Sequence, residues 1–292
     1  MLSKQKIYTL KKRAKIISAI RSFFESENFI EVETPIRTPA PLPEQNIDAL
    51  KCGEFYLATS PEPYMKQLIA DGCEKIFQIT KCFRNGEIGD KHNIEFTMLE
   101  WYRKDADYLK LIDDAKNLLN FICDKTNCDK KFSDWEIIPL DDAWKKFAGT
   151  DLDDVPDGFE FDKTMVEKIE PDLPVNKPVV ISDFPAVFSP MCKKKNDNPF
   201  RAERLEIYIN GVELANGCTE QIDKKLQIKR LRDEQLERKK MGKDVYPWPE
   251  KFVGSLNNMP PSAGMALGID RLIMILCNAD KIEDVLTFSE KN

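Results

Sequence analysis

Hydrophobic and polar positions along the first hundred residues alternate in ways that predict helices and strands in turn. Apolar residues recur at helical spacing over 13–28, and a period-two pattern over 29–35 predicts a strand that ends at a proline. Residues 36–53 are rich in proline and polar groups, which predicts a loop. The elements predicted next are a strand at 55–59, a helix from Pro61 to about 71, and antiparallel strands at 75–83 and 96–103.

The rest of the chain continues this mixture of elements. A helix is predicted over 107–125 and a strand over 179–183, with a small insertion of helices and loops between them at about 126–178. Asn210-Gly211 is a strong two-residue turn signal between strands predicted at 205–209 and 212–215. Helices at 222–241 and 272–278 follow. Strands joined by hairpins and loops, with helices on one side, predict an α+β fold with a mainly antiparallel sheet.

Composition limits the classes of protein to which the chain can belong. Its 292 residues are 42% hydrophobic, which is enough for one large domain or two small ones, and we interpret the chain as a single domain. A net charge of −6 does not favour nucleic-acid binding. Eight cysteines without a C-x-x-C pair, and a single histidine, supply no zinc ligand set. Scattered thiols without a secretory signal predict a cytoplasmic protein, and no stretch approaches the roughly 20 apolar residues of a membrane span.

A first candidate site lies in the loop between the strands predicted at 75–83 and 96–103. Arg84 follows the first strand, His92 is the only histidine, and Phe96 begins the second strand. The planar guanidinium of an arginine suits a phosphate, and an aromatic ring can stack on a base. A paired surface arginine, an exposed histidine and a core phenylalanine are the ordinary alternatives.

A second candidate site flanks the turn at 210–211. Tyr208 is predicted to pair with Glu213 across the turn, with Glu206 diagonal on the same face. Two carboxylates on one face repel each other unless a cation lies between them, and Mg²⁺ takes one or two carboxylates plus phosphate oxygens. The pair therefore predicts a metal–phosphate site, with an exposed acidic face as the alternative. Asn216 and Glu220 directly follow this apolar strand and are further candidates.

A third candidate site lies at 264–271. Its small residues permit a close approach of a ligand to the backbone. Arg271 stands at the start of the last predicted helix, and a helix N-terminus with an arginine is suited to an anion. The alternative is an ordinary strand-to-helix junction.

Together these stretches resemble the three sequence motifs of class II aminoacyl-tRNA synthetases, over nearly the whole chain. Residues 25–35 resemble motif 1, residues 83–102 motif 2 and residues 264–271 motif 3. Ser60-Pro61-Glu62 and residues 96–102 and 213–217 are similar to the lysyl branch. Motif 1 begins near the start of the sequence, so we expect no anticodon-binding domain. The chain therefore resembles the elongation factor P–(R)-β-lysine ligases, which are free-standing paralogues of lysyl-tRNA synthetase.

This resemblance implies a function, cofactors and partners. The family uses ATP and Mg²⁺ to activate (R)-β-lysine, or lysine, as an aminoacyl-adenylate, and transfers it to a lysine side chain of elongation factor P. It implies a cytoplasmic ligase, a homodimer formed through motif 1, and no role for a membrane. A truncated lysyl-tRNA synthetase that acts on tRNA is an alternative, and so is a non-catalytic paralogue that binds lysine or a partner.

The resemblance also implies roles for individual residues. Arg84 and Arg271 hold the ATP phosphates as the catalytic residues, and Glu206 and Glu213 hold Mg²⁺. The other nucleotide contacts that it implies are His92, Asn93, Phe96, Leu214 and Gly268. The amino acid is bound by Ser60, Glu62, Glu100, Tyr102, Asn216, Glu220 and Ala266.

Ala266 and Gly86 differ from the residues that the related enzymes have at these positions. The synthetases have glycine where this chain has Ala266, and the added methyl group is expected to reshape the pocket near the substrate's amino group.

The family has glutamate two residues after the motif 2 arginine, where it helps to recognise the adenine amino group, whereas this chain has Gly86 followed by Glu87. Loss of such a hydrogen bond costs about 1.5–3 kcal/mol. Glu87 or backbone groups take over this role, or ATP binds poorly.

Overall fold

The structure, a computed structural model, describes residues 3–155, 157–175 and 177–290. No helix in these ranges is long and apolar enough to cross a membrane. The α-helices are α1 (Lys4–Ser26), α2 (Glu62–Ala70), α3 (Tyr108–Thr126), α4 (Leu140–Ala143), α5 (Gly158–Thr164), α6 (Lys224–Lys240), α7 (Glu250–Ser255) and α8 (Ile269–Cys277). Single π-helical or 3₁₀ turns lie at Trp144–Ala148, Leu152–Asp154, Met165–Ile169, Glu170–Asp172, Ala186–Phe188, Leu256–Asn258 and Ile282–Asp284.

The strands form one large and one small sheet. They are β1 (Ile30–Glu31), β2 (Arg37–Thr38), β3 (Lys51–Cys52), β4 (Phe55–Leu57), β5 (Lys75–Phe83), β6 (Glu95–Lys104), β7 (Glu136–Pro139), β8 (Pro178–Ser182), β9 (Arg204–Ile209), β10 (Val212–Thr219) and β11 (Ser262–Gly268). The large sheet has the order β1-β5-β6-β11-β10-β9-β8-β7, and the small one β2-β4-β3. Only the outer pairs β1–β5 and β7–β8 are parallel. The predicted α+β fold with a mainly antiparallel sheet is confirmed.

The two faces of the central strands have different characters. On β6, Leu99 and Trp101 are fully buried in the main core, which α1, α3 and α8 complete. Glu100 and Tyr102 alternate with them and therefore lie on the opposite face. Helix α2 packs on that opposite face, where Met65 joins Tyr102 in a smaller cluster. The prediction that the helices lie on one side is therefore wrong for α2, which covers part of the polar face.

Several predicted elements differ from those observed. Helix α1 begins at Lys4 rather than at 13, because its polar first turns give no apolar signal although Ser3 caps them. The strand predicted at 29–35 is reduced to Ile30–Glu31. The loop predicted at 36–53 contains the short strands β2 and β3, and the insertion predicted at 126–178 contains β7. Residues 156 and 176 of that insertion lie outside the described residues, and the single-domain interpretation stays a prediction.

Candidate active site

Two adjoining cavities open on the polar face of the large sheet. The larger has a volume of about 470 Å³ and the smaller about 170 Å³. Both are lined by Arg84, Met98, Glu213, Asn216 and Ala266. Motif 2, motif 3 and the stretch 213–217 therefore meet in one place, because these residues come from β6, β10, β11 and the loop after β5.

Strand register explains why distant residues meet here. Glu100 of β6 lies opposite Ala266 of β11, Ala266 lies opposite Asn216 of β10, and Asn216 lies opposite Glu206 of β9. Four of the predicted site residues thus form one row across four adjacent strands. The predicted pairing of Tyr208 with Glu213 is confirmed, and a bulge between Glu213 and Ala215 follows it.

The smaller cavity contains Arg84 in an arrangement suited to an anion. Its guanidinium lies 5.2 Å from the ring centre of Phe96, and Nη1 is 3.8 Å from Glu87 Oε1. The buried Nε of Arg84 has no hydrogen-bond partner within the described residues. A buried donor without a partner costs free energy, and an oxygen of an anionic ligand would satisfy it.

Arg271 enters the same cavity from the first turn of α8. Its Nη1 donates to the backbone oxygen of Glu213 at 2.8 Å and to Oε2 of Glu213 at 3.1 Å. Its Nη2 lies 2.6 Å from Nε2 of His92. The arginine must donate, so Nε2 of His92 is the acceptor and is unprotonated. Desolvation, and then the charge of Arg271, lower the pKa of His92 in agreement with that assignment.

Three further predicted nucleotide contacts also line the smaller cavity, namely Asn93, Leu214 and Gly268. The Asn93 amide donates to the backbone oxygen of Glu95 at 2.7 Å and accepts from the backbone nitrogen of Glu290 at 3.2 Å. Asn93 therefore anchors the motif 2 loop through its own side chain, and its role towards a nucleotide stays a prediction.

A buried ion pair holds the Arg271 helix against the sheet. Asp270 Oδ1 accepts from Nη1 of Arg13 at 2.5 Å, and Oδ2 accepts from the backbone nitrogen of Thr97 at 2.7 Å. Nη2 of Arg13 donates to Oγ1 of Thr97 at 2.8 Å. These contacts link α1, β6 and α8, so they fix the position from which Arg271 reaches the cavity. Sequence reasoning missed this network, although Asp270 directly precedes Arg271.

The larger cavity is lined by carboxylates with unusual titration properties. Glu100 accepts hydrogen bonds from Oγ of Ser60 at 2.7 Å and from the hydroxyl of Tyr102 at 3.0 Å. Burial and then the nearby charge of Glu62 nevertheless raise the pKa of Glu100 to about 8. Burial likewise raises the pKa of Glu220 to about 7. A cavity that holds such groups attracts cations, because an ammonium ion would stabilise their charged form.

Sequence reasoning missed one cation of this region, the ammonium group of Lys66. Nζ of Lys66 lies 2.5 Å from Oε1 of Glu62 and 2.5 Å from Oε2 of Glu220. Lys66 is only 3% exposed, and its carboxylate partners outweigh burial and raise its pKa well above the ordinary value. The i,i+4 spacing of Glu62 and Lys66 on a helix was a signal that could have revealed the first pair.

The structure also tests whether Glu206 and Glu213 suit a metal ion. Burial raises the pKa of Glu206 to about 7, and the charge of Glu213 contributes to this rise. Arg271 outweighs the burial of Glu213 and lowers its pKa. Oε1 of Glu206 accepts from Arg204 at 2.6 Å and Oε2 from Tyr208 at 2.7 Å. Glu206 and Glu213 would suit Mg²⁺ only if phosphate oxygens supplied the remaining ligands. Within the described residues, no group of three His, Cys, Asp or Glu side chains could hold a metal.

Gly86 occupies a turn that restricts what can replace it. Its φ is +81°, in the left-handed region, and a Cβ there would meet no atom within 4 Å. A glutamate at this position would be strained by the backbone rather than by its neighbours. The adjacent Glu87 lines the smaller cavity, where it lies beside Arg84.

Comparison with known protein families agrees with this arrangement. A family model described as tRNA synthetases class II (D, K and N) matches residues 1–292. The fold, with an arginine-containing cavity beside an acidic one, is thus that of an ATP-dependent ligase. The chain belongs to the class II tRNA synthetase family.

The similar proteins fall into two groups. The elongation factor P–(R)-beta-lysine ligases of Photorhabdus laumondii and Proteus mirabilis are each 36% identical to this chain, and the alignments cover 97% of it and 95% of each relative. The lysine–tRNA ligase of Clostridium tetani is 33% identical, and its alignment covers 96% of this chain but 63% of the relative.

Proposed function

We propose that this protein uses ATP to activate a lysine-type amino acid, (R)-β-lysine or lysine, as an aminoacyl-adenylate and then transfers it to elongation factor P. The observation that carries the proposal is the junction of the two cavities at Arg84 and Glu213. A nucleotide in the smaller cavity and an amino acid in the larger one would bring an α-phosphate and a carboxylate together at this junction. Such positioning supplies much of the catalysis in phosphoryl transfer.

The smaller cavity, together with Glu206 of the larger one, would provide the groups for the first step. The substrate carboxylate attacks the α-phosphorus of ATP, and the bond to the leaving pyrophosphate breaks. Arg84 and Arg271 would stabilise the negative charge on the transferring group, while Phe96 would stack on the adenine. Glu206 and Glu213 would hold Mg²⁺, which supplies Lewis-acid stabilisation of phosphate oxygens when it is bound.

The larger cavity supports the choice of substrate class. Glu62, Glu100 and Glu220 present carboxylates to a space that Ser60, Tyr102 and Asn216 also line. A substrate with two ammonium groups would pair with these carboxylates, whereas a neutral side chain would leave the negative charge that Lys66 does not balance without a counter-ion. Two charged amino groups are therefore the feature that we expect the enzyme to recognise.

Ala266 supports the choice of isomer within that class. It lines both cavities and lies opposite Glu100 in the sheet, so its methyl group borders the region where the substrate's amino group would bind. Substitution of Ala266 by glycine is expected to shift the selectivity from β-lysine towards α-lysine. The measurement is the rate of pyrophosphate exchange into ATP with each isomer, and the ratio of the two rates gives the selectivity. Unchanged selectivity would contradict this role.

The nature of the acceptor is supported by the two groups of relatives. The relatives named as elongation factor P–(R)-beta-lysine ligases are 36% identical to this chain, and the lysine–tRNA ligase is 33% identical. The test is to form the adenylate with each lysine isomer and then to supply elongation factor P or lysine tRNA. We expect mass spectrometry to find a lysyl-type adduct on the protein acceptor. Transfer to tRNA alone would support the synthetase alternative, and absence of adenylate would support a non-catalytic role.

Two further features of the proposal concern assembly and location. A homodimer through motif 1 is supported by Ile30 within the motif and by Ile36 directly after it, which are 59% and 44% exposed. A cytoplasmic location is supported by the eight cysteines, all of which are free thiols. Sedimentation of the purified protein tests the first feature, because a monomer would contradict it.

A further inference from the structure

Lys66 is a buried cation that the proposed reaction does not directly use. Its ammonium group bridges a carboxylate of its own helix, Glu62, and one that follows strand β10, Glu220. Both carboxylates line the larger cavity, whereas Lys66 lies behind them and forms no part of the cavity lining. The ammonium group of Lys66 therefore does not occupy the space where a substrate would bind, but it can influence that space through Glu62 and Glu220.

The surrounding charges give this position a specific electrostatic effect. Glu62, Glu100 and Glu220 are three carboxylates with one buried ammonium group among them, so two negative charges remain when all are ionised. These two uncompensated negative charges match the two positive charges of a substrate with two ammonium groups. Four other titratable or charged groups act electrostatically on this cluster. They are Glu44 in the loop before β3, Arg84 in the loop after β5, Tyr102 on β6 and Cys218 on β10.

The geometry leaves the glutamates available for a ligand. Lys66 contacts Oε1 of Glu62 and Oε2 of Glu220, which leaves one oxygen of each carboxylate for another partner. Oε1 of Glu220 lies towards Gly264, where a Cβ would approach to 2.9 Å. Lys66 therefore fixes the orientation of both carboxylates and keeps them from repelling each other across the cavity.

We propose that Lys66 is a positioning residue, a built-in counter-ion that favours the ionised form of Glu62 and Glu220 so that the cavity selects a substrate with two ammonium groups. This inference rests on the proposed function, since it assumes a lysine-type substrate. Without Lys66, the repulsion between the two glutamates favours proton uptake by one of them, and a protonated carboxyl binds an ammonium group weakly.

The test compares Lys66→Gln, which keeps hydrogen-bonding capacity, with Lys66→Met and Lys66→Arg. Lys81→Met is the control, because it removes a half-exposed ion pair between Lys81 of β5 and Glu95 of β6. For each protein, the KM for lysine and for ATP is measured by pyrophosphate exchange from pH 6 to pH 9. Calorimetric titration with lysine in the absence of ATP provides a second readout of binding.

In both neutral variants, we expect the pH at which lysine binding strengthens to rise by about one unit, with the KM for ATP unchanged. The preference for lysine over norleucine, which lacks the second amine, should fall about tenfold. Lys66→Arg should restore both properties, and Lys81→Met should alter neither.

Other results would overturn the assignment. An unchanged pH profile and preference in the neutral variants would show that the charge is not used for selection. If the neutral variants do not fold while Lys66→Arg does, the charge serves the fold instead. A wild-type protein that gives no exchange and no calorimetric binding with either lysine isomer contradicts the proposed function itself, and with it the role of Lys66. Binding without exchange contradicts only the proposed catalysis and leaves the calorimetric comparison decisive.

Discussion

A side chain at position 264 has no room, and this makes a single glycine important for the larger cavity. A Cβ on Gly264 would lie 2.5 Å from Cδ1 of Tyr102 and 2.9 Å from Oε1 of Glu220. Both neighbours belong to the proposed amino-acid site. The glycine therefore permits the close approach of β6, β11 and the end of β10 on which this site depends.

Substitution of Gly264 by alanine should consequently weaken lysine binding. Overpacking typically costs about 1–3 kcal/mol, so we expect the KM for lysine to rise by roughly five- to 150-fold, with a smaller effect on the KM for ATP. Both constants are measured by pyrophosphate exchange. Gly254→Ala is the matched control, because a Cβ there meets no atom within 4 Å. Equal effects of the two substitutions would contradict this explanation.

The raised pKa values of the cavity carboxylates lead to a prediction about pH. Glu100 and Glu220 have pKa values of about 8 and about 7 in the free protein, so both are partly or mostly protonated below pH 7. A substrate ammonium group requires the ionised form, and binding must therefore release protons. The KM for lysine should fall as the pH rises from 6 to 8, by up to about tenfold per unit for each proton released. A KM that is constant over this range would contradict the assignment.

At the scale of secondary-structure elements, α1 and α8 are joined through the buried pair of Arg13 and Asp270. Their side chains are 15% and 3% exposed, respectively. The same α1 carries Arg21, whose pair with Glu31 is 49% and 38% exposed. Buried pairs are costly to break on one side, whereas exposed pairs contribute little.

Arg13→Met should therefore destabilise the protein by about 3 kcal/mol, since it leaves the Asp270 carboxylate buried and unpaired. Arg21→Met should cost less than about 1 kcal/mol. Urea unfolding of both variants measures these free energies. Because Asp270 precedes Arg271, Arg13→Met should also raise the KM for ATP. Similar unfolding free energies for the two variants would show that the buried pair does not fix α8.

Sequence patterns predicted some elements well and others poorly, for physical reasons. The strand predicted at 75–83 matches β5 (Lys75–Phe83), because its hydrophobic pattern is local and continuous. Strand β7 was missed because it is four residues long and pairs in parallel with β8, a contact between residues about 40 positions apart along the chain. The start of α1 was missed because capping by Ser3, rather than an apolar face, marks it.

At the scale of the whole molecule, the sheet brings separate motifs into one site. The sequence resemblance placed Arg84, Glu213 and Arg271 together, and the structure places all three around the smaller cavity. Lys66 and Arg13 could not be assigned in this way, because their partners Glu220 and Asp270 lie more than 150 residues away in the sequence. Pairs of this kind depend on the completed fold.

The account depends most directly on lysine-dependent exchange of pyrophosphate into ATP and on its loss when Arg84 is replaced. Arg84→Met should reduce this exchange at least one-hundredfold, because the guanidinium at the junction of the cavities is proposed to stabilise the transferring phosphoryl group. Arg37→Met is the control, since Arg37 also lies over an aromatic ring but outside both cavities. Exchange that requires a lysine isomer, disappears in Arg84→Met and persists in Arg37→Met is the predicted result. Exchange that is absent from the wild-type protein, or equal in the two variants, would contradict the account.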